Sequence, residues 1–458
     1  MKKKRTKEEL TILRKAFRSK IIPFQIESVK THSKSSGNVI YTSKSLMNSK
    51  REKILSEKKI EKRYYRLYTS NQIDFLFPTI SKATDSTYNL DVDVRKSKEF
   101  KLDVGGHFSS RAVNTGYFSL AYRKLGKTSY HIKSESYFGK FYGSIKTEIN
   151  IEIPSVYPIS ITPYFVMNKW DYFYNFATFF EDNKPSYLIQ KETYYGIKFN
   201  HPIGNTSKST LDFRVFSLED DYYQTSNFTN KDLTDITFFN GNQISWQFLK
   251  NSLNRKQFAT SGHYFSFKAK YINGKEHTLS GSTNTILPFD IHKNHSWFNL
   301  TADFQSYLIN NPLFHLGIHA KGVLNSQSLF ANYTASLLAL TSFSPTPDAE
   351  TYFLPVFRSP KYVGAGVNLI FTLKKKVDLR IDSYLYQPFI TLNNNNSLGE
   401  FENSKIFKEQ LLIVSSSLIY NSFFGPIRAT VNYFPHQLNP ISFQVSYGFI
   451  IFNERAIR

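Results

Sequence analysis

Hydrolysis by an activated serine needs a nucleophile on a sharp turn, a base beside it and an oxyanion hole. The nearest approach here is Gly105 to Ser109, GGHFS, which lacks the second glycine of a GxSxG elbow. Its surroundings alternate as a strand, so the serine has no elbow to sit on. His292 and His295, three apart, come closest to a metal-ligand spacing. No further ligand stands at a diagnostic distance, and the two read as polar residues of an exposed loop, so no metal or cofactor is expected. The chain has no cysteine, which removes disulfide and thiolate chemistry. Charge and surface, rather than catalysis, are what these side chains offer.

The elements that must carry them are clearest at the C-terminal end. From Ile441 the residues alternate, with Phe443, Val445, Tyr447, Phe449 and Ile451 on one face and Ser442, Gln444, Ser446 and Gly448 on the other. Ile427, Ala429, Val431 and Tyr433 likewise oppose Arg428, Thr430 and Asn432, and residues 434–440 join the two runs into a hairpin. A period of two over such lengths suits a tilted strand that crosses a bilayer. An apolar face opposite a polar one suits a wall with lipid outside and water inside.

Composition agrees. Aromatics make up 16% of the 458 residues, with 42 Phe and 30 Tyr, a share that fits interfacial girdles. Mean hydropathy is −0.37, and no apolar run approaches the roughly 18 residues that mark a spanning helix. Net charge is +22, and residues 1–70 hold 20 basic against 6 acidic groups. No helix-turn-helix, zinc-finger or RNP-like pattern accompanies this basic arm, so nucleic acid is not an expected partner. Attraction to outer-membrane lipid headgroups and lipopolysaccharide phosphates is the better reading. The start MKKKRTKEELTILRKAF has no apolar h-region and is not a signal peptide. An envelope location then leads to the expectation of a native start upstream, or of a truncated copy.

Residues 1–22 read as a basic linker ended by Pro23. Residues 23–98 read as a small α+β domain: a strand marked by Phe24, Ile26 and Val29, a helix over 43–55, a second over 56–70, and two strands near 74–81 and 88–95. In the second helix Ile60, Tyr64 and Leu67 share one face. Residues 99–458 lose helical periodicity. Strand patterns begin near Phe100, Gly116, Ser129, Phe141, Tyr157, Lys191, Ser209 and Gln243, then near Ser261, Ser296, Pro312, Lys361, Lys376, Glu409, Gly425 and Pro440. The fold class expected is mainly β, a transmembrane antiparallel barrel of about sixteen strands, the even count such barrels favour. Connections 171–190, 220–242, 274–295, 325–360 and 389–408 are long, while intervening ones such as 373–376 and 422–424 are short. Long on one side and short on the other is the barrel pattern. Trp170, Trp246 and Trp297 fall near strand ends, where a girdle would want them.

Residues 423–458, with Gly425, Pro426 and Arg428, resemble the last two strands of the bacterial surface antigen superfamily, whose members carry POTRA domains before a sixteen-strand barrel. LNRKQFATSG, with Asn254, Phe258 and Gly262, is similar to that superfamily's mid-barrel periplasmic turn. SPTPDAETYFLPVFRSPKYVGAG and the ending GFIIFNERAIR more closely resemble the barrel half of patatin-like outer-membrane phospholipases, and residues 23–98 resemble a POTRA domain. The resemblance covers about residues 10–458 and is strongest after Ser344. The hydrolase's serine elbow and DG-type aspartate are both missing. It implies an outer-membrane barrel that anchors, or helps export, a hydrolase domain absent from this sequence. An alternative is an assembly or translocation factor, in which the POTRA domain adds a client strand and the seam between first and last strands opens. The first strand, with Gly105 and Gly106 in it, is weak enough for that. A diffusion porin with an unplugged lumen is a third reading. Partners implied are membrane lipid, lipopolysaccharide, and a periplasmic client or a second copy of the chain.

The superfamily's long loop folds into the lumen, where an arginine anchors it to acidic residues of the wall. The resemblance implies that residues 325–360 are this loop and that Phe357 and Arg358 are its anchor, although Phe357, Arg358 and Ser359 depart from the Arg-Gly-aromatic signature. Alternation sends Val377, Leu379 and Ile381 to lipid and Asp378, Arg380 and Asp382 inward. A desolvated guanidinium needs a hydrogen-bonded carboxylate, so Asp378 or Asp382 is its expected partner.

Overall fold

Strands with one apolar and one polar face can bury the apolar face between two sheets or turn it toward lipid, and here sixteen of them close into a cylinder with the apolar faces outward. The computed structural model describes residues 6–19, 25–47, 52, 54–69, 72–73, 75–84, 87–95, 98–173, 186–204, 206–225, 227–229, 231–283, 288–437 and 439–457. Pro23 and Phe24, read above as the linker end and a strand start, lie outside the described residues, as does most of connection 171–190.

After α1 (Lys7–Ser19) comes the small α+β domain: β1 (Gln25–His32), α2 (Ser36–Leu46), β2 (Leu55–Ser56), α3 (Glu57–Thr69), β3 (Leu76–Lys82) and β4 (Tyr88–Val94). Its sheet has the order β2-β1-β4-β3, which leaves β3 on an edge. Ile26, Tyr41, Leu46, Ile60, Leu67 and Leu90 share its core. The helix expected over 43–55 lies earlier, because its buried face includes Asn38, Thr42 and Ser45 and so carries a weak apolar signal. The domain sits at one end of the barrel, here the proximal end. There Tyr41 donates to Glu152 at 2.9 Å and Arg66 to the Val156 carbonyl at 2.7 Å.

The wall begins with β5 (Phe100–Ser109), β6 (Thr115–Lys124), β7 (Ser129–Phe138), β8 (Tyr142–Ile153) and β9 (Ile159–Phe173). It continues with β10 (Ser186–Ile203), β11 (Ser207–Tyr222), β12 (Asp235–Asn251), β13 (His263–Leu279), β14 (Asp290–Asn310) and β15 (Phe314–Asn325). A short helix, α4 (Tyr333–Ala339), precedes β16 (Lys361–Lys374) and β17 (Val377–Asn395), and β18 (Leu398–Asn403) turns back on β17 as a distal extension. The wall ends with β19 (Leu411–Ser422), β20 (Gly425–Tyr433) and β21 (Ile441–Gly448), and β21 pairs with β5. With β18 counted as an extension, sixteen antiparallel strands close the barrel.

Outward side chains such as Phe199, Phe213, Ile244, Phe298, Val367 and Val431 are exposed, while inward Ser119, Asn368, Thr430 and Asn432 are fully buried. That is the inverse of a soluble protein, and it makes the cylinder a transmembrane barrel. None of the described helices is long and apolar enough to cross a membrane.

Several strands run farther than their apolar alternation. β13 and β14 leave a distal connection of 280–289 rather than 274–295, and β11 and β12 leave 223–234 rather than 220–242. Their distal rungs set charged and polar residues such as Asp220, Asp221, Lys275 and Asn294 beside apolar ones such as Ile236 and Phe238, so the ladder continues where the period-two signal weakens. The opposite error occurs at the C-terminal end. β21 stops at Gly448, three residues before the expected Ile451. Gly448 has φ +96°, and a Cβ there would stand 2.1 Å from the Gly106 carbonyl oxygen, so a left-handed turn that only glycine makes freely takes the chain out of the wall.

Candidate functional site

Among the described residues three segments enter the lumen, each held by groups on the wall. The first is residues 326–360. Asn332 caps α4 by accepting from the Ala335 amide at 2.8 Å, and Leu337, Leu338 and Ala339 are buried. The segment then doubles back, Phe343 N–H donating to the Phe357 carbonyl at 2.9 Å, and Phe343, Leu354 and Phe357 pack against Tyr362 and Tyr386. Glu276 accepts the Ala331 amide at 2.8 Å, and its other oxygen lies 2.7 Å from His295 Nε2. On the far shoulder both terminal nitrogens of Arg428 donate to Asp348, at 2.9 and 3.2 Å, and Gln444 donates to the same carboxylate. The Arg428 and Asp348 side chains are 1% and 2% exposed. At such burial neither charge is tolerable without the other.

The second segment is the 252–262 turn, which rises inward from the proximal end. Asn254 closes it, its Oδ1 accepting the Thr260 amide at 3.0 Å and its Nδ2 donating to Thr260 Oγ1 at 2.9 Å. Gly262 adopts φ +99°, where a Cβ would stand 2.2 Å from the Ser252 carbonyl oxygen. Phe258 presents its ring to the Arg428 guanidinium at 4.9 Å, while Arg255 reaches Asp378 at 3.2 Å and Arg380 donates to the Ala259 carbonyl at 2.9 Å. Arg428 thus joins the turn, the 326–360 loop and β20. Gly425 and Pro426 open β20 beside this junction, with Gly448 adjacent.

The expected pairing of Arg358 with Asp378 or Asp382 does not form. Arg358 donates to the Leu340 carbonyl at 3.0 Å and lies over the Phe353 ring at 5.0 Å. Asp382 takes Arg380 at 2.9 Å, and Asp378 takes Arg255, Thr372 and Asn421. The reason is depth. Arg358 leaves the loop beside Ser359, which bonds the Ile390 carbonyl near the distal end of β17, whereas Asp382 lies eight residues down that strand, roughly 26 Å away at about 3.3 Å per residue.

The third segment is residues 449–457, beyond Gly448, which cross the lumen to the opposite wall. Asn453 N–H donates to Tyr142 Oη and its side chain to Ser144, both at 2.8 Å. The Glu454 carboxylate faces Arg214 at 3.3 Å and Lys198 at 3.7 Å and also takes Lys268. Arg455 lies 3.7 Å above the Trp170 ring and donates to Gln190 at 2.8 Å and Tyr172 at 2.9 Å. The Ala456 amide donates to Glu192 at 2.9 Å, and the Ala456 and Ile457 carbonyls accept from Arg214 and Lys270 at 2.6 and 3.1 Å.

With its last residues turned inward, β21 closes on β5 by three Cα partner pairs, Ser446 with Ser109, Tyr447 with Phe108 and Gly448 with His107. The Ser110 amide adds one bond to the Val445 carbonyl at 2.9 Å. From Phe100 to Gly106, β5 has no β21 partner among the described residues.

The fold resembles that of BamA and CdiB. The structure of BamA from Haemophilus ducreyi lacking POTRA domains 1–3 matches with a TM-score of 0.55 at 13% identity, over 92% of this chain and 84% of that one. CdiB from Acinetobacter baumannii matches with a TM-score of 0.54 at 9% identity, over 93% and 74% of the two chains. CdiB from Escherichia coli matches at 0.50 and 10% identity, over 93% and 77%. No protein-family model and no curated protein matches the sequence. At these identities the likeness to BamA and CdiB is one of fold.

Other sequence expectations fall differently. His295 is lumenal and buried, not part of an exposed loop, while His292 faces out at the rim. Three residues along a strand is an odd step, which puts the two on opposite faces. Trp170 and Trp297 are also lumenal, and only Trp246 faces outward. Asp348, Glu454, Arg455 and Arg214 were not anticipated. Their signal was present: Arg428 is the sole charge in β20 and faces inward, and such a group demands a carboxylate from somewhere.

Proposed function

We propose that this chain is an outer-membrane assembly or translocation factor of a Gram-negative envelope, with no catalytic chemistry of its own. Its small domain receives a client strand at the β3 edge, and the β5–β21 seam opens beside the filled lumen. The observation that carries this reading is the seam, which has three Cα pairs where β10 and β11 share sixteen. Seven residues of β5 are left as an open edge, and an open edge is a template for another strand. The exposed Phe77 and Ile80 on β3 support strand addition at the small domain. The fold likeness to BamA and CdiB supports the same reading. The anchor role for a patatin-like hydrolase rests on the sequence resemblance of residues 344–366 and 448–458 alone.

The absence of cysteine permits a clean test. Ser109→Cys with Ser446→Cys places two thiols directly opposite each other across the seam, within the Cβ spacing of about 4.5–5.5 Å for facing strand residues. In liposomes that hold the small domain's side accessible, the oxidised variant should lose insertion of a reporter barrel and regain it on reduction. Equal insertion by the locked and reduced forms would refute seam opening.

A further inference from the structure

Three side chains on the outward face of the distal rim converge without serving the lumen. His277 of β13 stands directly opposite His292 of β14, two rungs from the end of the ladder at Leu279 and Asp290. The imidazoles stack with centroids 4.3 Å apart and 7° between planes, and Phe238 of β12 stacks on His277 at 5.9 Å. Asp290 Oδ1 lies 3.0 Å from His277 Nε2 and 3.2 Å from His292 Nε2. One ligand atom from each residue lies within 4.8 Å of the other two. His277 Nε2, despite that proximity, has no hydrogen-bond partner among the described residues.

We propose that His277, Asp290 and His292 bind one divalent late first-row metal ion, of the zinc or nickel class. Two imidazole nitrogens and one carboxylate are the ligand set such ions prefer, whereas magnesium and calcium require oxygen ligands throughout. Strand pairing fixes the two histidines opposite each other, and the Phe238 stack orients His277 before any ion arrives, which limits the ordering cost of binding. The side chains are 38%, 52% and 68% exposed for His277, Asp290 and His292, so the ion enters from the medium and retains an open coordination position for water or an anionic group. The lipid-facing pair Tyr271 and Phe298 lies six residues down the ladder, roughly 20 Å at about 3.3 Å per residue, which keeps the site at the wet rim. His295, by contrast, is committed on both ring nitrogens to Glu276 and Ser328 in the lumen and takes no part.

The test uses the full chain without an affinity tag, folded in phosphate-free detergent, and titrates Zn²⁺ in competition with a chromophoric chelator. Wild type should take up one equivalent. His277→Ala, Asp290→Asn and His292→Ala should each weaken uptake by at least the roughly tenfold that loss of even an outer-shell partner costs. His263→Ala, on the proximal end of β13 and bonded to Ser306, should bind like wild type, and excess Mg²⁺ should not compete. Unboiled gel migration reports that each variant is folded, and His277→Gln replaces His277→Ala if loss of the stacked ring prevents folding. Wild type that takes up no zinc, or uptake unchanged in the three ligand variants, overturns the site and leaves a plain histidine–aspartate ion pair.

Discussion

Asp348 and Arg428 form a two-pronged ion pair in the lumen, with polarity opposite to the one the sequence resemblance implies: the long loop brings the acid and the wall brings the guanidinium. Removing either partner should cost about 3–5 kcal/mol, the usual penalty for leaving a buried charge alone. Asp348→Asn and Arg428→Met, followed by urea titration of the fast-migrating unboiled band, measure it. Asp348→Arg combined with Arg428→Asp should recover part of the loss. Single variants as stable as wild type would mean that the pair does not seat the loop.

Arg358 should matter less. It donates to the Leu340 carbonyl, so Arg358→Ala should cost about 1–3 kcal/mol, from the lost bond and the carbonyl left buried. In a double-mutant cycle with Asp382→Asn the coupling should stay within the roughly 0.3–0.5 kcal/mol of independent sites. Larger coupling would restore the pairing expected from the sequence.

The 449–457 segment should limit conduction. It crosses the lumen on contacts with β8 to β13, so a chain ending at Gly448 should conduct ions in planar bilayers well above wild type. Glu454→Gln should give a smaller rise, since Arg214, Lys198 and Lys268 all lose their shared counter-charge. Identical currents from the truncated and full chains would exclude a plugging role.

Gly448→Ala should loosen the seam. The left-handed backbone and the approach to the Gly106 carbonyl oxygen together predict a cost of about 1–3 kcal/mol, that of an alanine held in a sparsely populated conformation. The reporting measurement is the temperature at which unboiled migration is lost. Gly105→Ala is the control, because its Cβ would meet only the Tyr117 ring at an ordinary 3.8 Å. An equal effect at both positions would point to general strand weakening instead of a specific turn.

Much of this architecture was legible in the chain. Sixteen alternating segments, long and short connections, and a helical stretch with Ile60 and Leu67 on one face are local patterns, and local patterns survive without knowledge of partners. The inward direction of Asp378, Arg380 and Asp382 was readable for the same reason: a two-residue period assigns faces once a single apolar neighbour is known.

Partnership was not readable in that way. Trp170, between Lys169 and Asp171, gave no apolar neighbour to set its face, and Gly448 stood in an alternation that continued unbroken through Ile451. The sequence by itself determined the strands, the faces of their regularly alternating stretches and the barrel they close into, because backbone hydrogen bonding and the lipid–water boundary act on each segment separately. Only the tertiary structure decided that Asp348 meets Arg428, that Arg358 meets neither wall acid, and that the last residues turn inward and leave β5 half open. Those outcomes depend on depth along tilted strands and on which charge reaches a buried partner, and no spacing along the chain records either.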